Sequence, residues 1–247
     1  MAMRKPTAQP FPSVRLTAVC AVLLLGVLWW MWLGPASGSP PPIRDTHTPL
    51  KLAQVEPRPG LLPAAHFDDN MWGLQSSYSS DLVGPLVIHP MTYPDRVPQR
   101  GDVVYFSLPE TVRSSPEAQA GLPDAEIARV IALPGETVRI KDGQIYIDGR
   151  QLDAFYGRLR IGGQTEREYF RTINRPGTGE CGEACQRTAK SIFHMNAAER
   201  KIPEDAYFVL GDTAMRGNDS LVFGPLAADR VIGRVVGSTG KADGAQR

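Results

Sequence analysis

Four serines crowd the stretch Leu74-Gln75-Ser76-Ser77-Tyr78-Ser79-Ser80-Asp81. A serine hydroxyl is a weak nucleophile until a base removes its proton, so this stretch can do acyl chemistry only if a neutral lysine or a histidine reaches it. His89 and Lys141 are bases the chain offers, but Lys141 adjoins a turn, where solvent keeps an ammonium protonated. The same run of hydroxyl residues also suits an ordinary solvated turn. Cys181 and Cys185, bracketing Gly-Glu-Ala, are the second reactive pair. Outside the cytoplasm they are expected to form a disulfide, and closing so short a loop contributes about 2 kcal/mol in the chain-entropy account. A metal centre needs more donors than His194, the one obvious candidate nearby, so neither a metal nor another cofactor is expected.

The elements that must position such groups centre on Ile127 to Gly149. Ile127, Val130 and Ile131 belong to a β-branched run stopped by Leu133-Pro134-Gly135. Val138 and Ile140 then alternate with Thr137 and Arg139. Asp142-Gly143 suits a two-residue hairpin turn, and Ile145 and Ile147 resume the alternation on the return strand. The pattern is a β-meander. With 24 Gly and 22 Pro in 247 residues, turns and short strands should dominate and the fold should be mostly β. The formal charge of +1 carries no nucleic-acid footprint.

Residues 16–33 are uncharged and almost wholly apolar, close to the span of a bilayer core. Arg4, Lys5 and Arg15 precede them, and no basic residue follows until Arg44. The positive-inside bias therefore puts residues 1–15 in the cytoplasm and the rest outside, as a single-pass membrane protein. Trp29, Trp30 and Trp32 at the outer end favour an anchor in the lipid bilayer; the competing expectation is a removable signal cleaved at Ala36-Ser37-Gly38. Cys20 inside the span acts as a small apolar residue. Residues 34–63, with Pro40-Pro41-Pro42, read as a semi-extended tether. A globular domain is expected over 64–240, with a variable insertion lacking a sustained period at 157–201 and a tail at 241–247.

Arg129-Val130-Ile131-Ala132-Leu133-Pro134-Gly135-Glu136, followed by a strand, Asp142-Gly143 and Ile145-Tyr146-Ile147-Asp148-Gly149, resembles the fourth conserved box of the type I signal peptidases. Pro98-Gln99-Arg100-Gly101-Asp102-Val103-Val104-Tyr105-Phe106 resembles the third. Gly211-Asp212-Thr213 through Phe223-Gly224-Pro225 resembles the fifth, with Gly211, Asp212, Asp219, Ser220 and Gly224 in register. Val231 to Val236 matches the closing strand. The resemblance spans 74–236 and extends to the conjugative-transfer peptidases that mature pilins.

What it implies is a signal-peptidase-like domain of antiparallel β-sheets on a single N-terminal transmembrane helix. Its activity would be serine endoproteolysis of signal-peptide-bearing or pilin-type precursors at the outer membrane face. Ser77 would be the nucleophile, with Ser76 and Ser79 the neighbouring alternatives. The family's general base is a lysine kept neutral by apolar surroundings, and its position falls on Ala128, where a methyl group accepts no proton. Gly217 and Leu221 also depart from the family's serine and arginine. Arg129 and Asp219 would form a charge pair near the site, with Ser220 beside it. Natural loss of the base and an engineered lysine-to-alanine change both account for Ala128. An inactive homologue would still bind precursors, or serve as an envelope assembly subunit, the apolar groove beside Ile127 to Leu133 taking an extended peptide by strand addition.

Overall fold

The computed structural model describes residues 40–72, 82–91, 97–114, 123–175 and 181–239. The expected membrane span at 16–33, the candidate nucleophiles Ser76, Ser77 and Ser79, and the tail at 241–247 lie outside the described residues. Among the described residues no helix is long and apolar enough to cross a membrane.

Two sheets carry the fold. The larger runs in the order β11 (Leu226–Ala227), β10 (Ala206–Leu210), β5 (Ala125–Ala132), β4 (Val103–Ser107), β12 (Val231–Ser238), β3 (Gly84–Pro90), β2 (Leu62–His66). The smaller runs β1 (Ile43–Arg44), β8 (Arg150–Asp153), β7 (Gln144–Ile147), β6 (Thr137–Lys141), β9 (Ala197–Lys201). All ladders are antiparallel except the short β1–β8 pair. The mostly β expectation therefore holds, with one parallel exception. Four helices accompany the strands in the described residues: α1 (Glu110–Arg113), α2 (Glu166–Ile173), α3 (Glu183–Phe193) and α4 (Ser220–Phe223).

β5 is the strand on which the rest is built. It lies between β4 and β10, and every residue from Glu126 to Ala132 is buried, which is why its sequence is a near-continuous run of small and β-branched residues. Its two faces feed different cores. Ala128 and Val130 pack with Val104, Phe106, Tyr207 and Val209. Ile127 packs with Met71, Leu82, Leu86 and Val103. The third core joins the end of β5 to the small sheet through Ile131, Val138, Ile140, Ile145 and Ile147. The β6–β7 hairpin is the one read from Asp142-Gly143, with Lys141 opposite Gln144 and both turn residues at positive φ, 51° and 70°. That is the backbone demanded by a two-residue hairpin turn.

Two expectations need correction. The region 157–201, whose sequence lacks a sustained period, holds α2, α3 and β9. The cue was Thr165-Glu166-Arg167-Glu168, a capping box in which Thr165 Oγ1 accepts from the Glu168 N–H while the Glu168 carboxylate accepts from the Thr165 N–H at 2.9 Å. Cys181 and Cys185 are joined as a disulfide across the start of α3. His194 bonds elsewhere: Nδ1 lies 2.5 Å from Asp142 Oδ1 and Nε2 3.2 Å from Glu166 Oε1, so it staples the hairpin turn to α2, and both carboxylates raise its pKa.

The described part of the Pro-rich segment is no free spacer either. Ile43 pairs beside Leu152, Gln54 bridges to Ser238, and the Asp45 carboxylate accepts from Tyr156 Oη at 2.5 Å. Two glycines let this strap lie close. A Cβ on Gly101, where φ is +88°, would overlap Thr48, and one on Gly237 would overlap Val55.

Gly143 is the hairpin's most constrained position, since its φ is positive and a Cβ would overlap the Phe193 carbonyl oxygen. Gly143→Ala should destabilise the domain by about 1–3 kcal/mol, a fall of several degrees in Tm measured by calorimetry.

Candidate active site

The backbone of β5 determines what can approach it. Val130 bonds towards β4, its N–H donating to Asp102 O at 2.8 Å and its carbonyl accepting from Gly101 N–H at 2.9 Å. On the other edge β10 covers β5 only from Arg129 onward. The uncovered piece is short, and side chains already occupy it: Ile127 O accepts from Asn70 Nδ2 at 2.9 Å, and Ile127 N–H donates to Glu126 Oε1 at 3.3 Å. Strand addition along Ile127 to Leu133 is therefore closed by β10 over most of its length. Among the described residues β5 is left uncovered at the Ala125–Ile127 edge, where a peptide would displace Asn70.

Around this edge lies a buried polar cluster drawn from segments far apart in the sequence. His66 comes from the end of β2, Asn70 from the 3-10 turn Asp69–Met71, Glu126 from β5 and Asp219 from the loop before α4; all four are buried. Asn70 organises them. Its Nδ2 lies near two acceptors, Ile127 O and, at 3.4 Å, Glu126 Oε1, so its Oδ1 is the atom facing His66 Nε2 at 2.7 Å. Nε2 then carries the ring proton, and Nδ1 faces Glu126 Oε1 at 3.6 Å. The backbone carbonyl of Asn70 accepts from Thr213 N–H at 2.7 Å, tying the turn to the fifth-box loop. Position 217 is glycine for a local reason: a Cβ there would lie 2.7 Å from Asn70 Cβ.

Burial shifts every ionisable member. It pushes Glu126 up from 4.5 to about 7, helped by the negative charges of Asp68 and Asp219. Asp219 rises from 3.8 to about 6 by burial, held back by the N–H groups of Gly211 and Leu221 that donate to it. His66 is lowered by burial against the opposing pull of Asn70 and Asp68. A carboxyl poised near neutrality beside a neutral imidazole is equipped for proton transfer. An oxygen of Asp68 also comes within 4.8 Å of the His66 nitrogen and the Glu126 oxygen. Asp68 is exposed, and Glu126 Oε1 also accepts from Asn70 Nδ2 at 3.4 Å.

The expected Arg129–Asp219 pair is replaced by another. Arg129 forms a bidentate pair with Asp212, Nε to Oδ1 at 2.7 Å and Nη2 to Oδ2 at 2.6 Å, and its Nη1 donates to Gly101 O at 2.8 Å. The rings of Phe155 and Tyr156 lie 4.9 and 5.4 Å from the guanidinium carbon. Asp219 instead caps α4, accepting from Leu221 N–H at 2.9 Å and Gly211 N–H at 3.0 Å. Ser220 Oγ accepts from Val209 N–H at 2.9 Å, a loop-to-strand tie. Ala128 is fully buried among apolar side chains. Lys141 is exposed on the small sheet and His89 lies on β3 opposite Arg234, so neither belongs to this cluster. Met71 and Leu82 pack in one core with Ile127.

Residues 69–238 match the family model described as signal peptidase, peptidase S26. The chain belongs to this family. Among its curated relatives, the probable signal peptidase I-2 of Synechocystis sp. is 28% identical over 149 residues, covering 60% of this chain and 51% of that protein. Signal peptidase I of Leptolyngbya laminosa is 28% identical over 151 residues, covering 61% and 57%. The chain thus spans about half the length of the curated relatives it matches. A solved signal peptidase I from Enterococcus faecalis aligns at 28% identity and a TM-score of 0.34, covering 56% of this chain and 97% of that one.

Two outcomes follow from this geometry. Arg129→Ala leaves Asp212 buried without its cation and should cost about 3–5 kcal/mol in denaturant unfolding, whereas removing both partners together should cost less than the two single changes summed. Glu126 has a folded pKa above its unfolded one, so the folded state holds its proton more tightly between pH 4.5 and about 7, and this contribution to stability is lost as pH rises through that window. The unfolding free energy of the wild type, measured against Glu126→Gln, should accordingly fall from pH 4.5 to 7.

Proposed function

We propose that the chain is an endopeptidase of the signal peptidase type, cutting exported precursor proteins whose signal peptides reach the outer face of a membrane. The observation that carries this reading is the convergence of three sequence boxes on one buried guanidinium. Arg129 of the fourth box binds Gly101 of the third and Asp212 of the fifth. Such a convergence fixes the relative placement of the strands flanking the site. In this reading residues 16–33 anchor the domain in the bilayer, the serine stretch supplies the nucleophile through Ser77, and pilin-type precursors are among the substrates.

A second reading is favoured by one residue. If position 128 is where the base belongs, its methyl group makes the chain a homologue that holds precursors at the Ala125–Ile127 edge without cutting them. Incubating the purified full chain with a preprotein, beside an Ala128→Lys variant, separates the two. Cleavage by the wild type is expected. Cleavage by the variant alone would mark a lost base, and cleavage by neither, with the preprotein retained, would favour the binding role.

A further inference from the structure

Buried charge is matched by opposite charge at one place along β5 and not at another. Arg129 and Asp212 pair with each other. Among the described residues no lysine or arginine forms an ion pair with Glu126, Asp68 or Asp219. The hydrogen bonds to Glu126 come from neutral groups: Ile127 N–H at 3.3 Å, Asn70 Nδ2 at 3.4 Å and Asn218. The negative charges of Asp68 and Asp219 act on the same carboxyl, while Arg216 is engaged with Asp69 at the surface. Buried charges in proteins are paired or hold metal ions, and this pocket has an excess of negative charge.

His66 points the same way. Asn70 Nδ2 donates to Ile127 O at 2.9 Å, which turns Oδ1 to His66 Nε2 at 2.7 Å and puts the ring proton on that nitrogen. In a side chain only 6% exposed, Nδ1 then presents its lone pair to Glu126 Oε1 at 3.6 Å, an acceptor facing an acceptor. A shared proton would draw the two atoms to within about 3 Å. A metal ion would not: donors about 2.0–2.2 Å from zinc at tetrahedral angles lie roughly 3.4 Å apart. An imidazole whose other N–H is held by a carbonyl oxygen is also oriented as histidine ligands are.

Asp68 completes the set. It stands at the N-cap of the turn Asp69–Met71 yet makes no capping hydrogen bond with its side chain. One of its oxygens instead lies within 4.8 Å of both the His66 nitrogen and the Glu126 oxygen. We infer that His66, Asp68 and Glu126 bind one divalent transition-metal ion of the zinc type. The imidazole favours such ions over magnesium and calcium, which take oxygen donors. Three protein donors leave a further position to water on the side where Asp68 is exposed. The ion fastens the end of β2 and the turn after it to β5, whether or not the chain cuts precursors.

Zinc uptake by the purified full chain, stripped beforehand with a chelator, tests the site by equilibrium dialysis with elemental analysis and by thermal unfolding with and without zinc. The wild type should take up one zinc per chain and gain several degrees in Tm. Asp68→Asn and Glu126→Gln, which keep the size of each side chain, should each weaken binding at least about tenfold and lose that gain. Asp68→Asn, at an exposed position, should unfold as the wild type does without zinc, so that its loss is one of binding and not of folding. His194→Ala removes the other histidine held between two carboxylates and should leave uptake unchanged. No uptake by the wild type, wild-type affinity in either Asp68→Asn or Glu126→Gln, or loss of uptake in His194→Ala would overturn the inference. Magnesium or calcium bound as tightly as zinc would overturn the part given to the imidazole.

Discussion

A buried guanidinium needs every donor satisfied, and in this protein that requirement fixes three loops at once. Arg129 is 3% exposed; its donors go to both oxygens of Asp212 and to the carbonyl of Gly101, and aromatic rings cover its face. Taking two charges out of water costs several kcal/mol per ion, which close bidentate geometry and the third bond offset. Because no single contact would suffice, β5, the turn before β4 and the loop after β10 are held in one arrangement. Tyr156, packed on the same guanidinium, passes the constraint on to Asp45 and so to the N-terminal strap.

The Ala125 end of β5 has the opposite character. There β10 no longer covers the strand, and polar side chains take over the backbone bonding. Glu126 and Asp219 lie there with carboxyls pushed towards neutrality by burial, an arrangement that lowers stability at neutral pH. The fold places ionisable groups where β10 leaves β5 uncovered and its most buried ion pair a few residues further along the same strand. Arg129 holds the frame, and Glu126 lies buried at the end that β10 leaves uncovered.

The segment from Pro40 to Gly60 shows how composition can mislead. Proline-rich sequence without an apolar period suggests an extended spacer. Extended it is, but its backbone bonds to Ser238, its Leu52 packs against the core around Ile127, and Gly101 and Gly237 make room for it. An extended chain can be docked as readily as free. The choice is made by the surface it meets, which composition does not describe.

What the sequence determined by itself was whatever depends on neighbours along the chain. The β6–β7 hairpin was legible because Asp142-Gly143 and a period of two are local facts, and the boxes around Gly101, Arg129 and Gly211-Asp212 stood out as contiguous motifs. Thr165 to Glu168 carried an equally local helix signal for α2. Glu126 left a trace as well, one of two charges in an otherwise apolar strand, two residues before Ala128. Only tertiary structure decided that Arg129 takes Asp212 while Asp219 caps a helix, that Asn70 dictates glycine at 217, and that His66 meets Glu126. Those choices turn on which of several carboxylates comes within about 3 Å of a given donor, and separations that small are set by the packing of strands distant in sequence.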